Sequence, residues 1–264
     1  MLRYVVLSAF LSVACCARAA DNPYPWIASA YLVKRDGRLL WAGGEQRRLP
    51  PASLAKMMTA LLTLERGELD SIVAVSRGVV QETGTRIGLK PGERFRARDL
   101  LAATVIRSAN DACRALADHL SKSANEFVTM MNRRAAALGL IDTNFIDPCG
   151  HDREGQYSTA HDLARLAESV MQFPEYMQLA GSAEASIRTV DGGRSFRFHN
   201  TNALVGRSPG VIGLKTGFTE GAGRCLVALA ERDGVRVLIV LLGAPNRWWN
   251  AEGLLDRAFD APAQ

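Results

Sequence analysis

The chain has 264 residues, of which 48% are hydrophobic and 22% charged, and it carries a formal charge of +5 at neutral pH. That balance excludes fibrous and intrinsically disordered classes and suits one sizeable core or two small ones. The positive surplus is modest and forms no Lys/Arg block interleaved with aromatics, so nucleic acid is not an expected partner.

Met1-Leu2-Arg3, the apolar run Tyr4 to Ala14 and the small-x-small triplet Ala17-Arg18-Ala19 read as a secretory signal peptide over residues 1–19. Residues 20–264 are then expected to form one domain, with the charge lowered to +3 by loss of Arg3 and Arg18. Ser12-Val13-Ala14-Cys15 fits a lipoprotein signal only loosely, because Ser12 is a weak residue there. No later stretch approaches about 18 unbroken apolar residues, so no transmembrane anchor is expected in the mature chain.

Trp26 to Val33 and Leu39 to Gly43 read as strands joined at Asp36-Gly37. After Pro50-Pro51, the apolar residues Leu54, Met57, Met58, Leu61, Leu62 and Leu64 recur at helical spacing as far as Gly67, with Ser53 in the first turn. Extended pieces are expected over 72–75 and 85–89, then a turn at Lys90-Pro91-Gly92-Glu93 and helices over 97–105, 111–120 and 126–138. A loop with Asp147-Pro148-Cys149-Gly150 precedes a helix from about Ser158 to Met171, and 185–200 reads as a hairpin turning at Asp191-Gly192-Gly193. Strands over 211–215, 225–232 and 236–242 and a helix over 248–259 close the chain. Strands at both ends with helices between imply an α+β domain whose sheet pairs the first and last segments.

Ser53 and Lys56 are three apart on one helical face. Alone, Ser53 is most simply an N-cap; a catalytic reading needs a base, and Lys56 serves only if burial and nearby cations lower its pKa. Ser108-Ala109-Asn110 at a helix junction and Lys215-Thr216-Gly217 on a strand supply further parts. Ser-x-x-Lys, Ser-x-Asn and Lys-Thr-Gly in this order are the motif set of penicillin-binding proteins and class A β-lactamases. With Leu89 to Glu93, Arg98 to Leu101, Tyr157 to Ala160 and Gly213 to Thr219, the chain resembles the serine-type D-alanyl-D-alanine carboxypeptidases among the low-molecular-weight penicillin-binding proteins.

The resemblance implies a β-lactamase/transpeptidase-like fold, a mainly antiparallel sheet flanked by helices. It implies that Ser53 attacks the bond between two D-alanines, that Lys56 takes its proton and that Ser108 relays a proton to the leaving amine. Asn110 would bind the substrate peptide, Lys215 and Thr216 the terminal carboxylate, and Gly217 would admit the substrate backbone. The N–H groups of Ser53 and Phe218 would form an oxyanion hole. Peptidoglycan stem peptides are the implied substrate and β-lactams the implied inhibitors, in the periplasm or cell envelope. No cofactor or metal is implied.

Four alternatives fit parts of this pattern. Gly206-Arg207-Ser208-Pro209-Gly210 matches a nucleophile elbow, but Pro209 lacks the N–H that such an oxyanion hole needs, so a turn is expected. A class A β-lactamase needs a deacylating Glu-x-x-Leu-Asn loop, which is absent between Asn110 and Lys215; penicillin is therefore expected to be trapped. A DD-endopeptidase would use the same residues, and an ending at Phe259 to Gln264, without the extra β-rich domain and amphipathic helix of many carboxypeptidases, resembles its members. A non-catalytic β-lactam sensor or wall-binding protein is the remote alternative, since a pure receptor could lose Lys56 or Ser108 without penalty.

The histidines His119, His151, His161 and His199 have no metal-ligand spacing and read as structural or surface residues. Cys113 and Cys225 read as small buried hydrophobes. With Cys149 they make an odd count, leaving an unpaired thiol or an intermolecular bridge, and the sequence does not choose a pairing.

Overall fold

A computed structural model describes residues 23–262. The expected leader, residues 1–19 with Cys15 and Cys16, lies outside the described residues. In chain order the elements are β1 (Ala30–Arg35), β2 (Arg38–Gly43), α1 (Lys56–Arg66), β3 (Ile72–Ala74), β4 (Arg94–Arg96), α2 (Ala97–Ile106), α3 (Asn110–Leu120), α4 (Ala124–Ala137), α5 (Ala160–Val170) and α6 (Pro174–Gly181). There follow β5 (Glu184–Arg188), β6 (Ser195–His199), β7 (Val211–Thr219), β8 (Gly223–Arg232), β9 (Val235–Leu242) and α7 (Arg247–Asp260).

Five antiparallel strands in the order β2-β1-β9-β8-β7 form the main sheet, with β1 and β9 in register from Ala30↔Leu242 to Arg35↔Val237. The two-residue period of a strand divides its side chains between two cores. Tyr31, Val33, Leu226, Ala228, Ile239 and Leu241 pack in the core that contains α7, while Ala30, Leu32, Val227, Leu229 and Val240 join the larger core with the other helices. Residues 225–230 of β8 and 237–242 of β9 are buried without interruption because both faces are covered. Burying each such Val, Leu or Ile contributes about 1.5–3 kcal/mol, so a charge at Leu226 or Val227 would break one core or the other. β7 lies at the sheet edge, and its outer side is the one left without a partner strand.

Local chemistry sets the helix ends that matter here. α1 stops at Gly67, which has φ +75° and whose N–H returns to Leu64 O at 3.0 Å, an αL cap. α5 starts at Thr159, whose hydroxyl accepts from Asp162 N at 3.0 Å.

The departures from expectation have physical causes. Residues 85–89 form no strand, because the N–H groups of Ile87, Gly88 and Leu89 are taken by the buried Asp111 carboxylate at 2.8–3.2 Å; the partner of β3 is β4, beyond the Lys90–Glu93 turn. α6, to which no expectation was attached, is eight residues long with Pro174 in its first turn, the position where a proline is tolerated. The reading of Cys113 as a simple buried hydrophobe is corrected: Cys113 and Cys149 form a disulfide, and Cys225 is buried and free. Gly206 to Gly210 turn into β7, as Pro209 requires.

Candidate active site

Ser53 lies in a single 3-10 turn, Ala52–Ala55, ahead of α1, so it precedes the α-helix and does not lie in its first turn. Ala52 has φ +49° and Ser108 φ +60°, left-handed values that cost a non-glycine residue about 1 kcal/mol or more. Gly150 backs the Ala52–Ser53 peptide at φ +86°, and a Cβ there would lie 2.0 Å from Ala52 O and 2.9 Å from Ser53 N. Only glycine permits that approach.

Lys56 is fully buried. Its Nζ lies 3.0 Å from Ser53 Oγ and donates to Asn110 Oδ1 at 2.6 Å and to the Cys149 carbonyl. Burial holds its pKa down to about 7, against the pull of the Asp147 and Glu82 carboxylates, which favour the ammonium. Asn110, the first residue of α3, is fixed by donating Nδ2 to Thr83 O at 2.5 Å.

Lys215 is buried on β7 and donates to Ser108 Oγ at 2.8 Å and to Thr216 O at 2.9 Å. Its pKa is driven well below the ordinary value, first by burial and then by the charges of Lys56 and Arg247. Thr216 Oγ1 is 2.7 Å from Thr201 Oγ1. Gly217 lies against the nucleophile turn, where a Cβ would come within 3.1 Å of Ala52 Cβ and 3.2 Å of Pro51 O. The missing side chain thus serves the fold, by letting the edge strand meet the serine turn. Phe218 is 55% exposed, with its side chain clear of that contact.

All eight residues expected from the motifs therefore converge on the junction of the 3-10 turn, the start of α3 and β7. Sequence reasoning missed their supports. Asp147 Oδ1 accepts from the N–H groups of Cys149, Gly150 and His151 at 2.7–3.1 Å, shaping the loop that supplies the Cys149 carbonyl, which accepts from Lys56 Nζ, and the glycine behind Ser53. The disulfide ties this loop to α3. Arg247, at the start of α7, crosses behind β7 to donate to Gly217 O at 2.7 Å and Cys225 O at 3.2 Å, its guanidinium 4.4 Å from the Trp248 ring centroid. The turn signal Asp147 to Gly150 was readable; its role behind Ser53 was not, because the contact spans almost a hundred residues.

Chemically, a hydroxyl beside a lysine that is half neutral near pH 7 is an activated nucleophile. A second buried lysine bonded to a serine hydroxyl offers an anion site and a proton route.

A family model described as D-alanyl-D-alanine carboxypeptidase matches residues 22–246. The D-alanyl-D-alanine carboxypeptidase DacF of Bacillus subtilis is 37% identical over 88% of this chain, which spans 61% of DacF's length. A D-alanyl-D-alanine endopeptidase of Pseudomonas aeruginosa is 30% identical over 94% of this chain and 84% of its own. Penicillin-binding protein D2 of Listeria monocytogenes, solved with ampicillin bound, superposes with a TM-score of 0.78 at 32% identity, over 90% of this chain and all of its own.

Proposed function

The chain belongs to the D-alanyl-D-alanine carboxypeptidase family of serine peptidases, and from that premise we propose that it removes the terminal D-alanine from peptidoglycan stem peptides through an acyl-enzyme on Ser53. The observation that carries this reading is the 3.0 Å contact between Ser53 Oγ and a lysine whose pKa burial brings to about 7.

In this mechanism neutral Lys56 accepts the hydroxyl proton as Ser53 Oγ bonds to the carbonyl carbon of the penultimate D-alanine. The oxyanion is met by the N–H groups of Ser53 and Phe218. Ser108 passes a proton to the leaving amine, Asn110 holds the peptide, and Lys215 with Thr216 holds the terminal carboxylate. Water then releases the acyl group. β-Lactams enter by the same attack, which breaks the ring C–N bond; the released amine stays tethered to the acyl group and hinders the water that would free Ser53, so the adduct persists. The place of action is the periplasm or cell envelope, where such peptides are; among the described residues no helix is long and apolar enough to cross a membrane.

Cleavage of D-alanine cross-links is the second reading, supported by the endopeptidase that matches along most of both chains. Mass spectrometry of purified wall peptides digested by the chain, with Ser53→Ala alongside, separates the two. Ser53-dependent loss of one D-alanine from pentapeptides is expected. Conversion of cross-linked dimers to monomers with pentapeptides intact would establish the endopeptidase instead.

A further inference from the structure

Lys56 sits in a closed circuit of contacts. Its Nζ donates to Asn110 Oδ1 at 2.6 Å, and Asn110 Nδ2 donates to Thr83 O at 2.5 Å. The preceding residue, Glu82, lies through Oε2 at 2.7 Å from His151 Nε2. Two residues before His151 is Cys149, whose carbonyl is the other acceptor from Lys56. We propose that His151 is a positioning residue for the reaction: through Glu82 it clasps the 81–86 segment to the 147–156 loop and so fixes both acceptors of the Lys56 amine. The proposal rests on the peptidase reading above.

The two sides of the circuit are held unequally. The 147–156 loop is anchored by Asp147 Oδ1, by the disulfide to α3, and by Asp152, which accepts from Thr219 Oγ1 at 2.6 Å and Gly221 N at 2.9 Å. Asp111 fixes the other chain only from Ile87 onward. Five of the six residues 81–86 are exposed, and Glu82 alone turns its side chain inward, leaving it 10% exposed. Thr83 and Thr85 offer their carbonyls to Asn110 itself, at 2.5 Å and 2.7 Å. They can fix Asn110 only if something else fixes them, and the Glu82–His151 contact does so from an anchored loop.

The same contact sets the charge that Lys56 feels. A carboxylate only accepts, so the imidazole donates from Nε2. The Glu82 carboxylate favours the Lys56 ammonium. Facing the pair are Arg114 of α3, 3.5 Å from Glu82 Oε1 but 2.7 Å from Asp118, and Asp147, which accepts from His151 N at 3.1 Å. Arg114 is engaged more closely by Asp118, so His151 is the nearest group compensating Glu82. Without its imidazole the 81–86 segment loses its tie and Glu82 pulls the Lys56 titration upward.

Stopped-flow acylation of the full chain by penicillin across pH, with thermal melts alongside, tests this in three variants. His151→Leu removes the donor, His151→Gln keeps an N–H in reach of Glu82, and Glu82→Leu opens the clasp from the other side. On the high-pH plateau His151→Leu and Glu82→Leu should each acylate about tenfold more slowly, and His151→Gln should stay within about twofold of the unmodified chain. The acid limb should move to higher pH in His151→Leu and to lower pH in Glu82→Leu, a split that a general loss of stability would not produce. An unchanged plateau in either leucine variant, limbs that stay put, or a His151→Gln as slow as His151→Leu overturns the clasp and leaves the peptidase reading standing. Failure of penicillin to acylate the unmodified chain overturns both.

Discussion

The Nζ atom of Lys56 lies 3.0 Å from Ser53 Oγ while two other acceptors, Asn110 Oδ1 and the Cys149 carbonyl, claim its protons. As an ammonium, Lys56 has one proton for each of the three oxygens. As a neutral amine it has two protons for those two acceptors, and the lone pair is left facing the serine hydroxyl. In the proposed mechanism the neighbours thus select which face of the amine takes the serine proton.

Acylation by penicillin should therefore rise with pH, about tenfold per unit below 7, and level off above it. Glu82→Gln removes a carboxylate that favours the ammonium, so the acid limb should move to lower pH in stopped-flow acylation; a move to higher pH would contradict the electrostatics. The same shift acts on folding. Between about 7 and the ordinary 10.5 the unfolded state binds more protons at this lysine, so the stability deficit from burying it is full below 7 and fades as pH rises through that window.

Gly150→Ala should be the more damaging of two glycine changes. A Cβ at 2.0 Å from Ala52 O and a positive φ together should cost about 2–4 kcal/mol and displace Ser53. Gly217→Ala meets neighbours at 3.1–3.3 Å, so it should cost about 1 kcal/mol in thermal melts while slowing acylation at least tenfold. Equal stability losses would show that the Gly150 contact relaxes.

The Cys113–Cys149 disulfide spans 36 residues, and its loss should cost about 2–4 kcal/mol. Because Cys149 O receives the Lys56 proton, reduction by a dithiol should also move the acid limb of acylation, which a purely global loss of stability would not do. Cys225→Ala should retain this response, since Cys225 is outside the pair.

The terminal pairing of the sheet and the convergence of Ser53, Ser108 and Lys215 were legible in the sequence because strand alternation, helical spacing and compact motifs are local signals. What was hidden is long-range. Asp111 takes the backbone of 87–89, Gly150 backs Ser53, and Arg247 reaches Gly217 from the last helix. Each is a single contact between segments far apart in the chain. The cysteine pairing was equally unreadable, since spacing alone does not fix connectivity.

The central claim, that Ser53 is the acylated nucleophile, is tested most directly by peptide mass mapping after brief exposure to penicillin. One penicilloyl adduct is expected, on the tryptic peptide from Leu49 to Lys56, persisting for many minutes and absent from Ser53→Ala. An adduct on the peptide containing Ser108, or one that survives in Ser53→Ala, would contradict it.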